Sequence, residues 1–195
     1  MSLVRSVLRW VSAAAATTLL AAMPAMAAAP AADSVAAVWV PKHIQFIYQG
    51  FTTHYSCDGL QDQVRSMLRK LGAQDLKVQQ FACTRPEGPT HFPGVIVNMS
   101  VLVPASSAEA AKAKDASHPV QAQWQKVVLM PSNAPYEDQG NCELIEQFKE
   151  TFLPLFATRN VDYGSTCVPH QIMLGTHLSA EVLMPPPKLA GSAGH

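Results

Sequence analysis

Hydrophobic side chains recur along this chain at two different periods. From Cys57 to Gly72 the apolar residues Leu60, Val64, Met67, Leu68 and Leu71 follow helical spacing, and Cys57 stands one turn earlier on the same face. Asp58 with Gln61 three residues on reads as a capping box, and Gly72 is a natural stop. A second helix is predicted to open at Asn141 as its N-cap and to carry Ile145, Phe148, Phe152 and Phe156 inward, with Pro154 kinking it or ending it early. Elsewhere the period drops to two. In VIVNMSVLV, Val95, Val97, Met99, Val101 and Val103 share one face; in IMLGTHLSAEVLM, Ile172, Leu174, Leu178, Ala180 and Val182 do. Strand-like runs also precede each helix, HIQFIYQ (residues 43–49) and QWQKVVLM (123–130), and follow each one, DLKVQQF (75–81) and NVDYGS (160–165). Alternation of this kind predicts a sheet buried on one side only, antiparallel or mixed, with both helices on its apolar face. The expected class is α+β in two layers, written twice as β-α-β-β.

The cysteines carry the same repetition. Cys57 and Cys83 are 26 positions apart, Cys142 and Cys167 are 25 apart, and Ile145, Phe152, Leu153 and Phe156 stand at the offsets of Leu60, Met67, Leu68 and Leu71. Leu76 and Val78 likewise match Val161 and Tyr163. We read an internal duplication. It divides the chain into a leader at 1–27, a first unit at 38–104, a linker at 105–120, a second unit at 121–185 and an unstructured or extended tail at 186–195. The linker, PASSAEAAKAKDASHP, is either flexible or a short exposed helix.

The leader bears on compartment. Arg5 and Arg9 precede an apolar run from Val11 to Met23, and Ala25-Met26-Ala27 offers a small-residue cleavage site, the pattern of a secretory signal peptide. That places the mature chain in the periplasm or outside the cell. The even number of cysteines then favours structural disulfides, Cys57 with Cys83 and Cys142 with Cys167, over metal ligation or an activated thiol at the helix start. Without the leader the formal charge falls from 0 to −2, which is not a nucleic-acid-binding balance, and no later stretch is long enough to stay in a membrane.

Chemistry is sparse. Met173, His177 and Glu181 fall on one face of the last strand, and with His170, which follows Cys167 at half the spacing of a zinc site, they form a candidate copper or zinc site; an ordinary polar outer face is the competing reading, and it is preferred. Hydrolase motifs are missing, and no catalytic set or resident cofactor is expected. The carboxylates Asp58, Asp62, Glu143, Glu146 and Glu150 have helix-surface spacing, which predicts a solvated face. The uncovered sheet face should carry Asn98, Ser100, His177, Ser179, Glu181 and, if the alternation slips, Thr176. Such a face suits a peptide, a glycan or an envelope protein as partner. At Tyr55–Leu60, YSCDGL, and Leu71–Ala73, LGA, the first unit resembles an uncharacterised group of exported proteobacterial proteins. That resemblance implies a bacterial envelope setting and no activity. The expectation is therefore a non-enzymatic binding or assembly module of the envelope, ahead of a metal-binding protein and, third, a hydrolase.

Overall fold

The computed structural model describes residues 34–83, 92–112, 118–132, 141–168 and 175–187. The predicted leader, the tail from residue 188, Met173 and His170 lie outside them. In chain order the elements are β1 (Ser34–Ile47), α1 (Cys57–Lys70), β2 (Gln74–Phe81), β3 (Gly94–Pro104), α2 (Ala108–Lys112), β4 (Val120–Met130), α3 (Cys142–Thr151), a 3-10 turn (Leu153–Leu155), β5 (Thr158–Gly164) and β6 (His177–Met184). The described strands make one antiparallel sheet in the order β2-β3-β1-β4-β6-β5. The α+β class is therefore as expected.

Helix α1 forms where the period of its apolar residues required, and Leu60, Val64, Met67 and Leu68 all point into the core. Full burial of each such side chain is worth ~1.5–3 kcal/mol. Its start differs from the expected capping box. Ser56 is the N-cap and its Oγ accepts from the Gly59 amide at 3.1 Å. Asp58 lies inside the first turn and takes its bond from the Gln80 amide instead. The end is as predicted: the Gly72 amide donates to Arg69 O and the Ala73 amide to Leu68 O, with Gly72 at φ 84°, the paired bonds of a Schellman stop. In α3, Ile145 and Phe148 are buried and Phe152 and Phe156 follow them inward. The helix ends at Thr151, and Pro154 falls in the 3-10 turn that replaces its next turn. Asn141 is the N-cap residue, but its side chain caps nothing.

One face of the sheet packs under all three helices. Val38, Val40, Phe46, Val97, Met99, Val101, Val127, Leu178, Ala180 and Val182 join the α1 and α3 residues in a single cluster, and α2 adds Ala110. Within the predicted linker the described residues form the short helix α2, mostly exposed, with Ala110 buried and Glu109 paired with Lys42. Burial holds the Lys42 amine below its usual pKa.

The opposite face departs from the expectation of a merely wet surface. β1 starts at Ser34, not 38, and its first four residues pair with β4: Ser34 with Gln123, Val35 with Ala122, Ala36 with Gln121, Ala37 with Val120. Along this seam a second cluster forms on the helix-free side. Ala37, Leu102, Ala122 and Leu183 are buried in it, packed by Val35, Trp39, Val120, Trp124 and Ala157. None of the described helices contributes to it. Thr176, placed on this exposed side only if the alternation slipped, is fully buried.

The two sides of the seam follow one register. β2 and β5, the outer strands, each carry an irregularity against their neighbour, between Gln74 and Lys77 and between Arg159 and Asp162. Asp75 and Asn160, 85 positions apart, both adopt φ 51° there. The disulfides Cys57–Cys83 and Cys142–Cys167 each tie a helix start to the chain that leaves the following outer strand.

Candidate functional site

Of the candidate metal ligands, His170 and Met173 lie outside the described residues, and His177 and Glu181 do not converge. His177 and Glu181 share the helix-free face of β6, as alternation predicted. Four residues of strand, however, separate their backbones by ~13 Å, whereas both donors must approach one ion to about 2 Å. Each is also engaged. Glu181 Oε2 accepts from Arg159 Nε at 2.6 Å, which holds its carboxyl below the usual carboxylate range. The Arg159 guanidinium in turn stands 4.7 Å from the centroid of the Trp124 ring. His177 Nδ1 is 3.2 Å from Gly175 O and its Nε2 is 3.4 Å from Asp162 Oδ1. Its ring occupies the space above Gly164, where a Cβ would meet it at 2.4 Å. Among the described residues no three His, Cys, Asp or Glu side chains group as metal ligands. Asn98 and Ser100 are likewise bonded to neighbours, His43 Nδ1 at 2.8 Å and Asp75 Oδ2 at 3.3 Å.

The polar centre of the molecule lies instead where the first half meets α3. Glu143, expected on a solvated helix face, is only 6% exposed. Its Oε2 accepts from the Phe51 amide at 2.9 Å and the Thr52 amide at 3.0 Å, and its Oε1 from the Thr52 hydroxyl at 3.1 Å. One turn further along α3, Gln147 grips the backbone of Gln49 twice: its Oε1 accepts from the amide at 3.0 Å and its Nε2 donates to the carbonyl at 2.7 Å. The Tyr55 hydroxyl donates to Asn141 Oδ1, which is why Asn141 does not cap its own helix. A buried carboxylate is costly unless every lone pair is matched, and here donors from a neighbouring loop match it.

Beneath that loop lies Tyr48, 1% exposed, its ring edge-on to Tyr55 at 5.1 Å. Its hydroxyl, 2.9 Å from Thr53 O and 3.3 Å from Glu143 Oε2, has one proton to share between them. Burial, and then the Glu143 charge, push both tyrosines well above the ordinary phenol range. Gly50 sits on the Tyr48 ring: a Cβ there would lie 2.1 Å from the hydroxyl oxygen.

What this clamp presents to water is apolar. Phe51, whose amide Glu143 holds, is 56% exposed. At the same end of the sheet, Ile47 is 40% and Phe92 55% exposed. The strand register adds to them. Ile47 pairs with Gly94, Gly94 with Phe81, and the Phe81 ring reaches over Gly94, where a Cβ would stand 3.2 Å from Cδ1. Ile96 follows on the same face between Gln45 and Gln79. The other exposed large apolar residues described, Val128, Val161 and Val168, are all valines of the second half. The sequence reading singled out neither Phe51 nor Phe92. The one available signal was two phenylalanines in turn-rich segments without helical or strand period.

No helix among the described residues is long and apolar enough to cross a membrane. Compared with known proteins, the chain matches no family model, no curated protein and no solved structure.

Proposed function

We propose that this chain is an exported, non-enzymatic binding or assembly module of the bacterial cell envelope, built by duplication of one β-α-β-β unit. The observation that carries the binding role is the clamp at Glu143 and Gln147. It commits a buried carboxylate to fixing a loop whose outward product is an exposed phenylalanine beside Ile47 and Phe92. Exposed aromatic and aliphatic side chains on a hydrogen-bonded support have the composition of a protein-interface core. The partner class is a peptide or protein with an uncharged apolar surface.

Export is supported by the leader pattern and by two disulfides with no free cysteine among the described residues, a usage that belongs to oxidising compartments. The YSCDGL resemblance points the same way. Duplication is supported by the shared 85-residue offset of the two bulges and by the seam. Ala36 opposes Gln121, the residue at its own equivalent position, while Val35 opposes Ala122 and Ala37 opposes Val120, the self-complementary pattern of a two-fold interface.

The test is a photo-crosslinking side chain placed at position 51 in living cells, with position 161, also exposed, as comparison. A discrete adduct from position 51 and none from 161 is the expected result. Equal, diffuse labelling from both would refute the assignment of this surface. A stoichiometric metal in the purified protein that disappears in His177→Ala would replace the reading with the metal-binding one.

A further inference from the structure

A second site lies on the helix layer. The cleft between α1 and α3 encloses about 170 Å³, and its walls are two facing helical stripes, Gln63, Ser66, Met67 and Lys70 on one side and Asn141, Leu144 and Ile145 on the other. Leu129, Met130 and Pro131, at the end of β4, close it below. Its floor is apolar and includes two thioethers, Met67 and Met130, both nearly buried. An apolar cavity of about 150 Å³ takes up benzene, so this one holds a single ring or a branched aliphatic group. Methionine is the side chain that best adjusts to such a guest and also favours aromatic contact.

The rim is not apolar. Among the described residues, Lys70 is the one charged residue lining the cleft. Through Ser66 and Lys70 the cleft runs into a shallower depression bordered by Asp62, Arg65 and Arg69. Asp62 is already paired with Arg65. Arg69 and Lys70 have no ion-pair partner among the described residues. Lys70 at the rim and Arg69 in the adjoining depression, both without an ion-pair partner among the described residues, favour an occupant with a negative charge at one end.

We propose that this cleft binds a small amphipathic carboxylate, an apolar group of about one ring's size seated against Met67 and Met130 with its carboxylate at Ser66 and Lys70. The proposal does not rest on the protein-binding surface around Phe51, although Asn141, which lines the cleft, also accepts from Tyr55 in the clamp. The cleft is built from residues of both halves, a location where ligand clefts are commonly found.

Phenylacetate and its neutral counterpart phenylacetamide are the probes, titrated into the mature protein with methyl-labelled methionines and followed by NMR. Phenylacetate is expected to shift the Met67 and Met130 methyl signals saturably, in the millimolar range natural to so small a ligand. Lys70→Gln should weaken it by about fivefold, the size of a partly solvated ion pair. Ser66→Trp, a substitution on an exposed helix position that plugs the mouth, should abolish the shifts while leaving the melting temperature unchanged. Absence of saturable shifts at the two methionines would overturn the proposal. So would equal affinity for phenylacetamide, or binding that survives Ser66→Trp.

Discussion

The first and second halves of this molecule each carry a disulfide from a helix start and an irregular outer strand, yet their helices begin differently. In α1, Asp58 in the first turn is exposed and bonds only to Gln80 of its own half. In α3, Glu143 stands 85 positions later, at the equivalent place, and is buried under the loop that follows β1. One methylene and a different neighbour turn a surface carboxylate into the residue that fastens one half to the other. The contrast teaches that helical period fixes backbone and core, while the role of a polar side chain is set by what a distant segment lays over it. A carboxylate near a helix N-terminus is favourable in either setting, so the local helix physics does not distinguish them.

The largest effects test the likeness of the halves. Replacing either cysteine pair by serine should cost ~3–4 kcal/mol, because loops of 26 and 25 residues release nearly the same chain entropy when opened. Urea unfolding of Cys57→Ser/Cys83→Ser and Cys142→Ser/Cys167→Ser should therefore give losses that agree closely. A large inequality would mean that one half depends on its bridge more than the other.

Glu143→Ala and Asp58→Ala test the difference. The first removes the carboxylate that the part-buried Phe51 and Thr52 amides donate to, a loss of ~3 kcal/mol. The second should cost less than about 0.5 kcal/mol, as surface changes do. Similar losses for both, in the same denaturation assay, would abolish the distinction drawn here. Gly50→Ala is next, at ~1–3 kcal/mol, since a methyl on the Tyr48 ring forces the loop or the ring aside. Its melting curve should shift down while the second half's disulfide remains intact.

The smallest effect is a pH dependence confined to the clamp. Tyr48 and Tyr55 have folded pKa values raised above the ordinary 10.0. A raised value means the folded state keeps protons that the unfolded state has released, so this contribution is complete below pH 10 and is lost as pH rises beyond it. Phenolate absorbance should show these two tyrosines ionising only as the protein unfolds in alkali. Reversible ionisation of every tyrosine near 10.0, with the fold retained, would contradict the burial of this pair.

Much of this was legible in the residues. The helical period at Leu60, Val64, Met67 and Leu68 and the alternation at Val95 to Val103 placed α1 and β3, because both signals depend only on which side chains a segment must bury. Gly72 marked its stop because a left-handed residue is needed there. The sulfur pairing followed from repetition in the spacing. The site was hardly legible at all. Glu143 differs from Glu146 and Glu150 in nothing local, and Phe51 carries no period.

By itself, then, the sequence determined the elements, their inward faces and the cysteine partners, all consequences of short-range periodicity and spacing. Only the tertiary structure decided that β1 reaches back to Ser34 to pair with β4, that an apolar strip lines the seam on the helix-free side, and that Glu143 is covered by a loop from the other half. The β1–β4 pairing and the Glu143 contacts join residues 83 to 92 positions apart. Their existence rests on register and on the path of connecting loops, and neither leaves a mark in the period of any single segment.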